Sequence, residues 1–461
     1  MCWIWRLRVP STEVPIGMPL RHLLWLSVAV ALSYANIGRG EFQFDDFKVI
    51  VDNPAVHDWA SWHSTEGQGV FGIRPLLKLS YLLNWLSGWG VAGFHWVNLL
   101  LHLANTWLVY RLAWHFGAAL PDAQNRSLLA LGSALLFAVH PANTEAVTYV
   151  CGRSVSLMAF FYLAAVALYA AARTQGNTWR LHVWVPVLFV MALAVKETAV
   201  TLVLALLVWE LALGTGWRVI WQRQWSSWLL LAAGAAYFLL NANFLAHMQN
   251  SAELNSLPGN LATQAAGFSY LLRQWAWPLW LNIDPDHPIF PSLAGAAPHL
   301  AGLAAALLLA FLTRRSRPWI SFALLWVLAH LMALYIFLPR LDVANDRQLY
   351  LAAWPLGLAL VAELLTWQSW RRRVGGAIFV VWIAALPLLT LARNQDYRSE
   401  IALWEATVKL SPRKARVHNN LGYAYAQAGR TTDARREYTT ALRLDPDHIK
   451  ARYNLERLDL L

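Results

Sequence analysis

Two adjacent carboxylates, Asp45 and Asp46, stand in the run GEFQFDDFKVIVDNPAV, flanked by Phe42, Phe44 and Phe47. An acid between aromatic side chains is partly shielded from water, and a carboxylate so placed can serve as general base toward a hydroxyl or an amine. Read alone, the pair is more readily a pair of solvated loop acids; its company gives it weight. Arg74 sits in IRPLLKLSYLLNW. His95, Asn98, His102 and Asn105 recur every three or four residues in FHWVNLLLHLAN and so share one stripe of a helix. His140, Glu145 and Arg153 fall in HPANTEAVTYVCGR, Lys196 and Glu197 divide two apolar blocks, and Asp346 with Arg347 precedes another. Ionisable groups in such apolar surroundings are costly and usually face a cavity, a partner or a ligand, although any single one could be a structural ion pair. Several cations (Arg74, Arg153, Lys196, Arg347) around a carboxylate pair suit an anionic ligand, phosphate first. The chain has no Gly-rich phosphate loop and no metal-ligand spacing of His or Cys, so neither a nucleoside triphosphate nor a metal, nor any other cofactor, is implied.

The elements that must position these groups follow from composition. Of 461 residues, 58% are apolar and 14% charged, against about 25% charged in an average soluble domain. The apolar residues fall in blocks separated by short charged clusters, the pattern of a polytopic membrane protein. A soluble enzyme, a disordered scaffold and a secreted disulfide module are excluded. The expected fold is all-α: a bundle of about eleven spans near 20–38, 93–116, 127–140, 154–172, 181–195, 198–214, 225–246, 298–313, 318–338, 348–366 and 374–392. The 261–281 stretch, with Trp275, Trp277 and Trp280, fits a helix lying at the interface or dipping in and out.

The net charge of +11 does not mark a nucleic-acid partner, because the basic residues recur at block ends instead of forming one patch. Arg6, Arg8, Arg21, Arg111, Arg126, Arg173, Arg180, Arg218, Arg223, Arg314, Arg315, Arg317 and Arg371 to Arg373 all fall on one side when the spans alternate. The positive-inside rule then puts the N-terminus in the cytoplasm and the C-terminal tail outside. A cleaved signal peptide over the first block is the weaker reading, since the chain continues into many spans. The two largest connections, 39–92 and 247–297, lie outside, and so do the charged candidate groups. Cys2 and Cys151 fall on opposite sides and cannot pair. Many of the 27 Trp residues stand at block edges, where an indole straddles headgroup and hydrocarbon.

The composition changes after Leu391, which divides the chain into a membrane domain, 1–392, and a soluble tail, 393–461. In VHNNLGYAYAQAGRTTDARREYTTALRLDPDH, residues Leu421, Gly422, Tyr425, Ala434, Tyr438, Ala441 and Pro446 match the 34-residue tetratricopeptide spacing, giving one full repeat over 415–448 with flanking helices. So short an array buries little surface alone and should dock on the membrane domain or a partner. It is either a protein-binding platform or a solubilising cap.

From the residues alone, the expectation is a cavity at the outer leaflet in which cations hold a lipid-linked phosphate while an Asp activates an acceptor. FDDFKVIVDNPAV, RPLLKLSYLLNW, GFHWVNLLLHLANTWLVYRL, HPANTEAVTYVCGRSVSLMAFFYL, AVKETAVTLVLALLVWEL and DRQLYLA, in this order, resemble the TMTC-type protein O-mannosyltransferases, membrane proteins with tetratricopeptide repeats. The resemblance implies a glycosyltransferase of the GT-C class, related to the PMT mannosyltransferases. Such an enzyme takes a hexose from a polyprenyl-phosphate donor, undecaprenyl- or dolichyl-type, and acts on the periplasmic or lumenal side. It implies an acidic pair at Asp45 and Asp46, one the base and the other its support. It further implies a Glu and Gly-Arg element at Glu145, Gly152 and Arg153, a Lys-Glu at Lys196 and Glu197, and a late Arg at Arg347. The donor's phosphate and sugar are then expected near Arg74, Glu145, Arg153, Lys196, Glu197, Arg347, His95 and Asn98. Where that family carries an acid shortly after Gly-Arg, Val155 and Ser156 stand here. Arg outnumbers Lys 31 to 6, which points to a bacterial inner membrane, with the ER membrane as the eukaryotic counterpart. The acceptor is expected to be Ser or Thr of a protein, possible contact being made by the tail; a lipid or cell-wall glycan acceptor and a non-catalytic assembly scaffold are the alternatives.

Overall fold

The computed structural model describes residues 19–64, 69, 72–119, 123–240, 255–337 and 342–459. Cys2, Arg6, Arg8 and the end of the 225–246 block lie outside the described residues. The longer helices are α1 (Leu20–Ser33), α2 (Pro75–Leu86), α3 (Gly90–Phe116), α4 (Ala123–Val139), α5 (Arg153–Gln175), α6 (Val185–Val195), α7 (Leu202–Ala212), α8 (Trp217–Leu240) and α9 (Leu257–Ala276). They continue with α10 (Ala297–Thr313), α11 (Pro318–Leu331), α12 (Trp354–Thr366), α13 (Ser369–Asp396), α14 (Glu400–Leu410), α15 (Ala415–Gln427), α16 (Thr431–Leu444) and α17 (Ile449–Asp459). The fold is all-α; no strand occurs among the described residues. Prolines open α2, α6, α9, α10, α11 and α12 within their first two positions, where the missing N–H costs nothing.

Within the described residues each of the eleven apolar blocks coincides largely with helix, but by length and composition fewer than eleven helices qualify to cross a membrane. Among the described residues four helical stretches are long and apolar enough: Leu20–Arg39, Val150–Gln175, Ala294–Thr313 and Ser369–Asp396. Two bent pairs, Gln124–Val139 with Pro141–Val147 and Asp346–Ala352 with Trp354–Thr366, each turn by 56° and raise the number to six. The difference has physical causes. Helix α3 carries the polar stripe, which lowers its mean hydropathy, and α6, α7 and α11 are too short to span alone. The 261–281 stretch contributes most of α9, whose first half is largely buried in protein.

Helix α3 is central, packing against both α4 and α5, while α5 also packs on α6 and α4 on α12. Around this nucleus α10 and α13 show large apolar side chains outward, Leu308, Phe311 and Leu312 on one and Ile378, Val380 and Val381 on the other, a surface suited to lipid. At one end, Glu210 at the close of α7 receives Arg173 at 2.9 Å and Arg223 at 3.0 Å. The opposite end, a full α5 of 23 residues away, or about 34 Å at 1.5 Å per residue, gathers the connections around residues 40–57, 140–153, 196–201 and 342–348.

The tail folds as paired helices α14 to α17 against that end. In the repeat, α15 and α16 meet where Gly422 has no side chain: a Cβ there would lie 2.7 Å from the Tyr438 ring. Beside the apolar contacts of Ile283 and of Phe44 with Trp404, docking on the membrane domain is ionic and polar. Asp284 takes Lys414 at 2.6 Å and a bidentate Arg416, which also bridges to Asp342. Ser411 accepts from the Asn282 amide at 2.8 Å and the Asp286 N–H at 2.9 Å.

Candidate active site

The segment between α4 and α5 builds the floor of the site. It folds back in short turns, Thr144–Val147 among them, which the stripe on α3 holds from beneath. The Asn98 amide donates to the carbonyls of Val147, Tyr149 and Val150 at 3.2–3.3 Å. His102 bonds Tyr350 Oη at 2.9 Å and the Ala138 carbonyl at 3.1 Å, and Asn105 donates to the Ser156 carbonyl. These polar side chains satisfy backbone groups that the breaks in α-helix leave unpaired, which is how irregular backbone is tolerated at depth. His95 is buried on the same face.

Arg153 belongs to this scaffold by its contacts. It is fully buried, and its guanidinium donates to Asn98 Oδ1 at 2.7 Å, Asn84 Oδ1 at 2.7 Å, the Phe94 carbonyl at 3.0 Å and the Ser80 carbonyl at 3.1 Å. It also lies over the Tyr81 ring at 4.9 Å. Four donated bonds tie α2, α3 and α5 together. Gly152 permits the turn before it, since a Cβ there would meet the Glu145 carbonyl at 2.2 Å.

That turn presents the Cys151 N–H to Asp46. Oδ1 of Asp46 accepts from it at 2.8 Å, and Oδ2 accepts from the Gln43 N–H at 3.0 Å. Asp46 has no exposed surface. Burial pushes its carboxyl up to about 7, only partly opposed by its bonds from Cys151 and Gln43. Asp45 is different. It is half-buried, its N–H donates to Tyr149 Oη at 3.1 Å, and its carboxylate faces a mixed set of charges. Burial raises its pKa, Arg347 lowers it, Asp342 raises it, and Lys48 and Arg416 lower it, leaving it above the ordinary value.

Arg347 arrives from the turn before α12 and is oriented by Glu145, whose Oε2 accepts from the Arg347 N–H at 2.9 Å and whose Oε1 lies 3.4 Å from its Nε. Together with Lys196, Arg347 lines a small cleft whose polar walls also include Thr198, Thr201, His330, Tyr335, Asn345 and Gln348. Arg74 and Glu197 form a bidentate pair at 2.7 and 3.0 Å on the connection that carries Lys196. Of the candidate residues, Glu145 and Arg347 thus pair and Lys196 lines the cleft with Arg347. Asp45 and Asp46 sit on the 147–151 turns through Tyr149 and Cys151, with the Arg347 charge acting on Asp45. Arg74 and Glu197 engage one another; Arg153, Asn98 and His95 form the support behind. Sequence reasoning missed Tyr149, Asp342, Arg393 and Arg416. Arg393 lies 3.5 Å from the buried Asp346, but nothing local in the sequence signals either that pairing or the arrival of Arg416 from the tail.

A broken helical bundle with several helices long and apolar enough to cross a membrane, a charged mouth and a docked tetratricopeptide tail defines the class of architecture. The comparisons with known proteins say what it is similar to. The Tetratricopeptide repeat family matches residues 415–448. The chain is 24% identical to Protein O-mannosyl-transferase F38B6.6 of Caenorhabditis elegans over 93% of its own length and 63% of that protein's. It is 27% identical to Protein O-mannosyl-transferase TMTC1 of Homo sapiens (98% and 58%) and 24% identical to Protein O-mannosyl-transferase TMTC3 of Homo sapiens (95% and 53%). Its homologues are therefore TMTC-type protein O-mannosyltransferases, of whose length the chain spans between about half and two thirds. No solved structure matches it.

Proposed function

We propose that this chain is a membrane glycosyltransferase that moves a hexose, mannose being the first candidate, from a polyprenyl-phosphate donor to a Ser or Thr hydroxyl of a protein. The observation that carries the reading is a half-buried Asp45, held by Tyr149 Oη at its N–H, on which the charge of Arg347 acts. Arg347, with Lys196, lines the small cleft. The relatives' names supply the sugar and the acceptor class.

In this reading Asp45 is the base. The acceptor hydroxyl gives its proton to the Asp45 carboxylate as its oxygen bonds to the sugar's anomeric carbon. The bond from that carbon to the phosphate oxygen breaks, and its electron pair leaves with the lipid phosphate. Lys196 and Arg347 offset the charge that accumulates on the departing group. Asp46, with both oxygens engaged by backbone N–H groups, is the anchor of the Asp45 turn. The turn and tail lie at the end opposite the Arg173–Glu210–Arg223 cluster. With that arginine-rich end in the cytoplasm, the reaction faces the periplasm or lumen. A bundle of more spans than the four to six helices that qualify by length and apolarity, arranged as in the GT-C class, belongs to the same proposal.

Asp45→Asn tests it. In a purified transfer assay with a polyprenyl-phosphate sugar and an acceptor peptide, transfer is expected to fall by roughly 10²–10⁴, with insertion and yield unchanged. Full activity in Asp45→Asn would overturn the assignment.

A further inference from the structure

The carboxylate assigned as base sits next to a residue with an unusual backbone. Phe44 has φ +49°, the left-handed region that a bulky side chain rarely enters. A conformation of this kind persists only when its surroundings over-determine it. Here the surroundings come from the tail. The Phe44 ring stands edge-on to Trp404 of α14, centroids 5.0 Å apart at 84°, and Trp404 is itself 1% exposed. On the preceding residue, the Gln43 amide donates to the Tyr397 carbonyl at the head of the tail. On the following one, Asp45 senses Arg416 of α15 across Asp342. Residues 43 and 44 are thus held by contacts from the tail, while the membrane domain holds the next two through Tyr149 on the Asp45 N–H, Cys151 on Asp46, and the charges of Arg347, Asp342 and Lys48 around Asp45.

We propose that the tail is an integral part of the catalytic centre, in which Trp404 is a positioning residue that holds the Phe44–Asp45 turn in its left-handed form and so aims the Asp45 carboxylate. The inference rests on the reading of Asp45 as base and deepens it. It assigns the tail a role in every turnover, distinct from displaying acceptors or capping the membrane domain. Trp404 itself touches no reactant; it acts through Phe44. Releasing the Phe44 ring lets the turn relax to negative φ, which rotates the next peptide and displaces Asp45. A displacement on the order of 1 Å at a reacting group costs about 100-fold in rate.

The experiment uses the full chain, purified and assayed for transfer with a polyprenyl-phosphate sugar and an acceptor peptide. Trp404→Ala is expected to lower kcat about 100-fold with KM for the donor unchanged, and Trp404→Phe, which keeps an aromatic edge, to recover most of it. The decisive variant is Phe44→Gly made in the Trp404→Ala background. Glycine enters the left-handed region without steric cost, so it restores at least tenfold of the lost kcat if the role of Trp404 is to hold that turn. If Trp404 only supports tail folding, Phe44→Gly restores nothing and the inference fails. Full activity in Trp404→Ala beside an inactive Asp45→Asn likewise refutes the positioning role while leaving the base in place. An active Asp45→Asn refutes the base, and the role of Trp404 with it.

Discussion

Asp46 and Cys151, 105 residues apart in the chain, are joined by a hydrogen bond of 2.8 Å from the cysteine's backbone N–H to Oδ1 of the aspartate. This bond sets the acidic loop on the floor built from the α4–α5 connection. It also divides the labour between two neighbouring acids: Asp46 is consumed by backbone donors inside the protein, and Asp45 is left half-buried among the charges of Arg347, Asp342, Lys48 and Arg416.

The division has a pH signature. Burial raises the Asp46 carboxyl from 3.8 to about 7. Between these values the unfolded chain has released its proton and the folded chain retains it. The stabilisation from neutral Asp46 is therefore complete below 3.8 and is lost as pH rises through about 7. Thermal unfolding in detergent should show a midpoint that declines over this window, and Asp46→Asn should flatten the decline. A slope unchanged in the variant would place the responsible group elsewhere. Asp45 is raised as well, by burial first, so the acid limb of kcat/KM is expected above the ordinary aspartate range.

Lys196 and Arg347 line the same cleft. Arg347 is the cation that compensates buried Glu145. Removing one partner of such a pair costs about 3–5 kcal/mol, so Arg347→Ala should accumulate poorly and melt early. Lys196→Met, which removes a charge from the cleft wall, should raise KM for the donor by about tenfold. Thermal melts check the first variant and donor titrations the second; an Arg347→Ala protein as stable as the parent, or a Lys196→Met protein with unchanged KM, would contradict the assignment.

Gly152→Ala places a methyl 2.2 Å from the Glu145 carbonyl. The turn must open to admit it, at about 1–3 kcal/mol for overpacking, and the Cys151 N–H moves off Asp46. Lower thermal stability together with lower transfer is the expected outcome. A variant as stable and active as the parent would mean the turn has slack that its packing does not show.

Asp284 receives both Lys414 and Arg416. Asp284→Asn should loosen the tail, read as faster limited proteolysis between residues 393 and 414. Raising the salt concentration on the unaltered protein should act in the same direction, because partly exposed ion pairs are screened. Proteolysis indifferent to both would show that docking rests on the Ser411 bonds and the Phe44–Trp404 contact.

How much of this was legible beforehand varies by element. The apolar blocks announced their helices, because burial in a bundle or in lipid writes itself into every turn. The repeat at 415–448 was readable from seven spaced residues. The α3 stripe was readable as one face of a helix, but its task was not: spacing says that Asn98 and His102 point the same way, not that they serve broken backbone at 138 and 147–150. Arg153 shows the limit most sharply. A buried arginine beside an acidic pair reads as a ligand for an anion, yet its four bonds to Asn98, Asn84, Phe94 and Ser80 come from segments 55 to 73 residues away.

Local order along the chain was enough to determine an all-helical membrane protein with a tetratricopeptide tail and an acidic pair near a helix end. Hydropathy and helical period are properties of neighbours within a few residues, and any segment displays them by itself. Only the tertiary structure decided which charges meet. The pairings of Glu145 with Arg347, Asp346 with Arg393, Asp284 with Arg416 and Phe44 with Trp404 each join distant segments. Such contacts depend on how helices bend and pack, and Coulombic and ring interactions act through space without leaving a periodic trace in the order of residues.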